Sequence, residues 1–262
     1  PYFFLLHFSF CICAMNPLMY LYTELLWRPL FNGLVFFYTI LPGQDLGVAI
    51  IALTIIIRLL LTPFLIKGQR AQARLTAVQP ELSRIQEKYK GDREGQGKAM
   101  MALYAEHKIN PLSGCLVLLI QLPILIAMLQ VFRHGFDPAS LEYLYSFVQN
   151  PGVLNPHMLG ILDLSKGNIV LGVAAAITQF VQTKLAVPPP ENTAGKNTGD
   201  FAKALQWQTT YLFPLLILFW SYTLPSALTL YWTTLNTLGI VQEFSMGKRM
   251  TLWPIWKQSK AP

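Results

Sequence analysis

Arg58 stands inside an apolar run, Leu46 to Ile66, nine residues ahead of Lys67. At 1.5 Å of helix rise per residue it lies about 13 Å from the run's basic end. In a bilayer a side chain cannot snorkel comfortably that far, and an arginine near a helix centre costs about 2.5 to 3.5 kcal/mol on insertion scales. A carboxylate would be the usual compensation, yet the only acidic residue in any comparable run is Glu243, at the end of the last one. The sequence therefore predicts an unpaired cation in a hydrated cavity, whose chemistry is attraction of anions rather than bond making.

Other polar residues fall where they could share that cavity. Thr54, Arg58 and Thr62 are spaced i, i+4, i+8 and occupy one face of a helix. Gln121, the trio Thr178, Gln179 and Gln182, and the set Thr229, Thr233 and Asn236 lie within three further apolar runs. Each taken singly serves equally as hydrogen-bonding glue between helices; the unpaired cation favours a groove. Cys11, Cys13 and Cys115 sit inside apolar stretches, and His7, His107, His134 and His157 are scattered, so neither a disulfide nor a metal site is expected. The runs hold no mid-membrane His, Asp or Glu to activate a serine, and the chain has no phosphate loop. The expectation is a protein that is not an enzyme and needs no cofactor.

The elements that must position these residues follow from composition. The 262 residues are 53% hydrophobic and 13% charged, against roughly 45 to 50% and about 25% in an ordinary soluble domain. With a mean hydropathy of +0.41, such a chain needs an apolar solvent as well as a core. Five runs are long enough to cross about 30 Å of hydrocarbon: 46–66, 112–132, 169–187, 205–223 and 224–244. Nine Lys and Arg lie between Lys67 and Lys108, and Lys184, Lys196, Lys203, Lys248, Arg249, Lys257 and Lys260 fall on the same side. Arg28, Arg133 and Lys166 fall on the other. The basic side faces the cytoplasm by the positive-inside rule, and the C-terminus with it. The net charge of +7 is then topological rather than a nucleic-acid footprint.

Between the runs, residues 1–16 read as an apolar remnant of a signal or of an extra span. In 17–41, Glu24, Arg28 and Asn32 form one polar stripe on an aromatic and aliphatic helix, which suggests an amphipathic helix in the outer interface. Residues 67–110 carry a seam, Leu75, Val78, Leu82, Ile85 and Tyr89, broken at Gly91-Asp92 before Met100, Met101 and Tyr104 resume helical spacing. That predicts a cytoplasmic helical hairpin whose seam either holds it together or offers a docking surface. Pro188-Pro189-Pro190 opens a flexible inner linker, and 251–262 is a cytoplasmic tail. The fold class is an all-α membrane protein: a five-span bundle, residues 42–250, with a hairpin inside and an interfacial helix outside.

Four stretches resemble the YidC family of membrane protein insertases, which has mitochondrial Oxa and chloroplast Albino relatives. They are Ile55-Ile56-Ile57-Arg58 with Thr62-Pro63-Phe64; Gln79-Pro80-Glu81-Leu82; Asn110-Pro111-Leu112-Ser113-Gly114-Cys115 through Ile120-Gln121-Leu122-Pro123-Ile124; and Leu224-Pro225-Ser226-Ala227-Leu228-Thr229-Leu230-Tyr231-Trp232. Val117 and Ala227 depart from the family's common proline and glycine. The resemblance implies a groove open to the cytoplasm and lipid, lined by Arg58, Thr54, Gln182, Tyr231 and Trp232, with Gln121, Leu122 and Pro123 where a nascent helix passes. Thr233 and Asn236 join them from spacing alone. It further implies nascent membrane proteins as substrates, the lipid bilayer as surroundings, the ribosome and Sec translocon as candidate partners, and the bacterial inner membrane as location. Apart from the resemblance, a solute or anion transporter or channel would equally use an intramembrane arginine, although the chain has no internal repeat.

Overall fold

The structure, a computed structural model, describes residues 17–110, 113–135, 137–186 and 207–250. The fold is mostly helical. Helix α1 (Pro17–Tyr22) passes through a π-helical turn, Thr23–Trp27, into α2 (Arg28–Ile40). Then come α3 (Leu46–Ala77), α4 (Gln79–Lys88), α5 (Arg93–Glu106) and α6 (Ser113–His134). A loop with a small antiparallel ladder, β1 (His157–Met158) on β2 (Leu162–Asp163), leads to α7 (Ile169–Ala186). A second π-helical turn, Gln208–Leu212, opens α8 (Phe213–Thr223), and α9 (Ser226–Met250) follows.

Each of the five apolar runs is helical where it is described, except that the last begins in the turn at Leu224 and Pro225 and becomes helical at Ser226. The stretches Leu46–Ala71 and Ile169–Ala186 are long and apolar enough to cross a membrane by length and composition. Leu59 and Leu60, the two residues after Arg58, are 63% and 69% exposed. Aliphatic side chains so bare at mid-helix call for lipid rather than water around them.

Helix α3 does not stop at Ile66, where the apolar run ends; it continues past Pro63 to Ala77. The break comes at Val78, with φ −92° and ψ 2°, because Pro80 in the first turn of α4 has no N–H to continue the helical ladder. The heptad seam is therefore split: Leu75 belongs to α3, Val78 is the hinge, and Tyr89 closes α4. Val78, Leu82 and Leu103 form a separate small core, flanked by Ile85, Met100 and Tyr104. Met101 is exposed, so the second helix packs through Leu103. Asp92 caps α5 by accepting from the Gly95 N–H at 2.9 Å.

The main core lies toward the Leu46 end of α3. Trp27, Phe31, Leu34, Val35 and Tyr38 pack on Leu46, Ala49, Ile50 and Leu53, on Met128, Val131 and Phe132 of α6, and on Tyr231 of α9. The polar stripe Glu24, Arg28 and Asn32 runs from the π-helical turn into α2 and lies against the 143–145 loop, with Glu24 and Arg28 partly exposed and Asn32 buried. Asn32 is buried, donates to the Tyr143 carbonyl at 3.0 Å and accepts from the Tyr145 N–H. Arg28 donates to the same carbonyl at 3.0 Å while paired with Glu24 at 2.9 Å. The stripe is a clamp on the loop, because that loop's backbone polar groups must find partners where water is excluded.

The same end is tied together by the α8–α9 turn. Ser226 N–H donates to the Lys166 carbonyl at 2.9 Å and Ala227 N–H to the Leu164 carbonyl at 3.0 Å. Close approach of α7 to α8 depends on Gly172, where a Cβ would lie 1.9 Å from Ser221 Oγ. Residues 1–16, 251–262 and the triple-proline linker lie outside the described residues.

Candidate functional site

Helix α9 packs on both α7 and α3, and the polar residues of the three helices meet along it. Arg58 is 9% exposed, and its Nη2 donates to Gln242 Oε1 at 3.0 Å. Its Nε is buried without a partner. Among the described residues no ion pair joins Arg58 to a carboxylate. The cation is thus compensated by a neutral amide, and it keeps donor capacity in reserve.

The amide is itself held. Gln242 Nε2 donates to Gln69 Oε1 at 3.1 Å, and Gln69 Nε2 donates to the Glu243 carboxylate. Both amide orientations are dictated by the ends of this chain, since a guanidinium can only donate and a carboxylate can only accept. Gly239 leaves the space in which Arg58 extends: a Cβ there would lie 2.4 Å from Gln182 Nε2 and 3.3 Å from Arg58 Nη2.

Farther along α9, Gln121 Nε2 donates to the Tyr231 hydroxyl at 3.3 Å, and Tyr231 is fully buried. Trp232 Nε1 donates to Gln179 Oε1 at 3.1 Å. Asn236 is buried against α7, with Nδ2 at 3.5 Å from the Ala175 carbonyl and from Thr178 Oγ1. The structure thus brings Arg58 and Gln182 together at Gly239, and pairs Gln121 with Tyr231. Thr54 is fully buried and bonds the Ile50 carbonyl of its own helix. Thr233 likewise turns back to Thr229, as hydroxyls in apolar helices do. Leu122 is half exposed on α6 and Pro123 partly buried beside it.

Sequence reasoning passed over Gln69, Gln242 and Gly239. Gln69 lies beyond the apolar run, and Gln242 sits beside Glu243 near the end of the last run. Their signal was spacing: Gln69 follows Arg58 by three helical turns, and Gln242 follows Tyr231 by the same interval. Among the described residues no three His, Cys, Asp or Glu side chains gather as a metal would require.

The family model of the 60Kd inner membrane protein matches residues 36–252. The chain is 33% identical over 205 residues to the membrane protein insertase YidC of Fusobacterium nucleatum, covering 78% of this chain and 87% of that protein. It is 34% identical over 221 residues to that of Clostridium tetani, covering 80% and 90%. Against the YidC of Methylorubrum extorquens, 30% identical, it covers 87% of itself but 37% of the relative. A crystal structure of an active YidC insertase with its first transmembrane domain resolved superposes with a TM-score of 0.54 at 28% identity. That alignment covers 83% of this chain and 46% of the solved one. These relatives lend no support to an anion transporter or channel. The chain belongs to the 60Kd inner membrane protein family, whose relatives named here are YidC membrane protein insertases.

Proposed function

We propose that this protein inserts small membrane proteins, taking their hydrophilic segments into a cytoplasm-open groove beside Arg58 and releasing their apolar helices into lipid. The observation that carries the reading is the buried guanidinium of Arg58, held by a neutral amide and retaining an unpartnered Nε. A client carboxylate about 4 Å from that charge gains about 4 kcal/mol at an effective dielectric of roughly 20. The client's apolar segment, passing Gln121, Leu122 and Pro123, then gains about 25 cal/mol for each Å² it buries in lipid. No bond is made or broken, so neither a nucleotide nor a metal enters.

In this reading all five apolar runs span the membrane. The α4–α5 hairpin and the C-terminal tail lie in the cytoplasm on the strength of the basic residues there, while α1 and α2 lie in the outer interface. Gln182, Tyr231, Trp232 and Asn236 join Arg58 along the groove, with Thr54 and Thr233 as structural neighbours. The ribosome and the Sec translocon are candidate partners, met through the basic tail and the hairpin. The test is reconstitution: purified protein in liposomes should protect the translocated tail of a single-span client from added protease. Equal protection in protein-free liposomes would overturn the proposal.

A further inference from the structure

Glu243 is the residue after Gln242, and its charge is near enough to act on Arg58 through space. It nevertheless makes no ion pair with Arg58; its carboxylate accepts instead from Gln69 Nε2. A carboxylate offers a guanidinium opposite charge and two acceptor oxygens where an amide offers one neutral acceptor, so something must prevent the exchange of Gln242 for Glu243. Gln69 is placed to do this. It lies three turns beyond Arg58 on the same side of α3, about 16 Å along the axis, and it engages Gln242 through its carbonyl and Glu243 through its amide nitrogen.

We infer that Gln69 is a positioning residue that keeps the Glu243 carboxylate off Arg58, so that the groove's cation is not neutralised from within. This deepens the insertase reading and rests on it for its effect on clients. Without Gln69, Gln242 loses its acceptor and Glu243 its donor. The carboxylate then takes the guanidinium, and a client's acidic tail must compete with a tethered rival.

The experiment uses the full chain in liposomes, with one single-span client carrying either an acidic or a neutralised tail. Gln69→Leu should lower insertion of the acidic-tail client about fivefold, the smallest coupling ordinarily called cooperative, and leave the neutral-tail client within about twofold. Gln69→Asn, which keeps the amide but shortens its reach, should fall between. Adding Glu243→Gln to Gln69→Leu should restore the acidic-tail client, because the rival charge is gone. Failure of that rescue would overturn the inference and leave Gln69 a merely structural residue. Arg58→Ala and protein-free liposomes, run beside these, separate the two ideas: equal loss of both tails in Arg58→Ala counts against the attraction of acidic tails on which this inference rests, whereas equal protection without any protein counts against the insertase reading itself.

A thermal-unfolding cycle in detergent decides the positioning role without any client. Arg58→Ala and Glu243→Gln, which share one hydrogen-bond chain through Gln242 and Gln69, should couple more strongly on the Gln69→Leu background than on the wild-type one, as directly paired residues do. Equal coupling on both backgrounds would overturn the inference.

Discussion

Asn32 on α2 accepts from the Tyr145 backbone N–H while its own amide reaches the Tyr143 carbonyl at 3.0 Å, so one buried side chain satisfies both sides of a loop 111 residues away. The contact fixes the end of the bundle opposite the hairpin. Asn32→Ala should lower stability by about 1 to 3 kcal/mol, because the Tyr145 N–H loses its acceptor while the Tyr143 carbonyl keeps Arg28 as a donor. Asn32→Asp should cost at least as much, since a carboxylate cannot donate to the Tyr143 carbonyl. Thermal unfolding in detergent measures both, and a change under about 0.5 kcal/mol would contradict the clamp.

Tyr231 separates packing from hydrogen bonding. Tyr231→Phe keeps the ring and loses only the 3.3 Å contact with partly exposed Gln121. It should cost about 0.5 to 1.5 kcal/mol. Tyr231→Ala removes a fully buried ring and should cost about 3 to 5 kcal/mol. Chemical denaturation of the two variants side by side checks the order.

Asp163 makes the loop at this end sensitive to acid. The Ser165 hydroxyl and then Lys166 hold its carboxyl down from 3.8 to about 2. A depressed carboxylate contributes stability that is complete above its unfolded value and disappears as pH falls through its folded one. Asp163→Asn should therefore melt below the wild type at pH 5, with the gap closing as pH drops from about 4 to 2. A gap that widens on acidification would contradict the assignment.

Topology can be read by labelling. Gly97 has open space around its Cα, whereas a Cβ at Gly95 would meet the capping Asp92 carboxylate at 2.2 Å. Gly97→Cys should fold normally and stay unlabelled by an impermeant thiol reagent in intact cells. Ready labelling would reverse the orientation inferred from charge.

Much of this fold was legible because apolar run length and helix length share one physical cause, the need to satisfy the backbone within an apolar solvent. The starts of α3 and α7 coincide with their runs at Leu46 and Ile169. What was not legible depended on contacts between distant segments. The stripe Glu24, Arg28, Asn32 has the pattern of a wetted face, and only the fold shows Tyr143 lying against it. Arg58 was found as an oddity of type and place. Its partner Gln242 could not be, because an amide 184 residues away carries no charge to mark it. Val78 as a hinge was readable from Pro80, but the heptad spacing across it outweighed the proline.

Arg58 acts in the groove as a charge, attracting the client's carboxylates, in the proposed function. One client, bearing an acidic or a neutralised tail, is followed through wild type, Arg58→Lys and Arg58→Ala at matched protein levels. Arg58→Lys should largely retain insertion, since a point charge suffices where no bidentate geometry is demanded. Arg58→Ala should lose the acidic-tail client by at least about tenfold, as removal of roughly 1.4 kcal/mol implies, and lose the neutral-tail client much less. Equal loss of both tails in Arg58→Ala would contradict the electrostatic account.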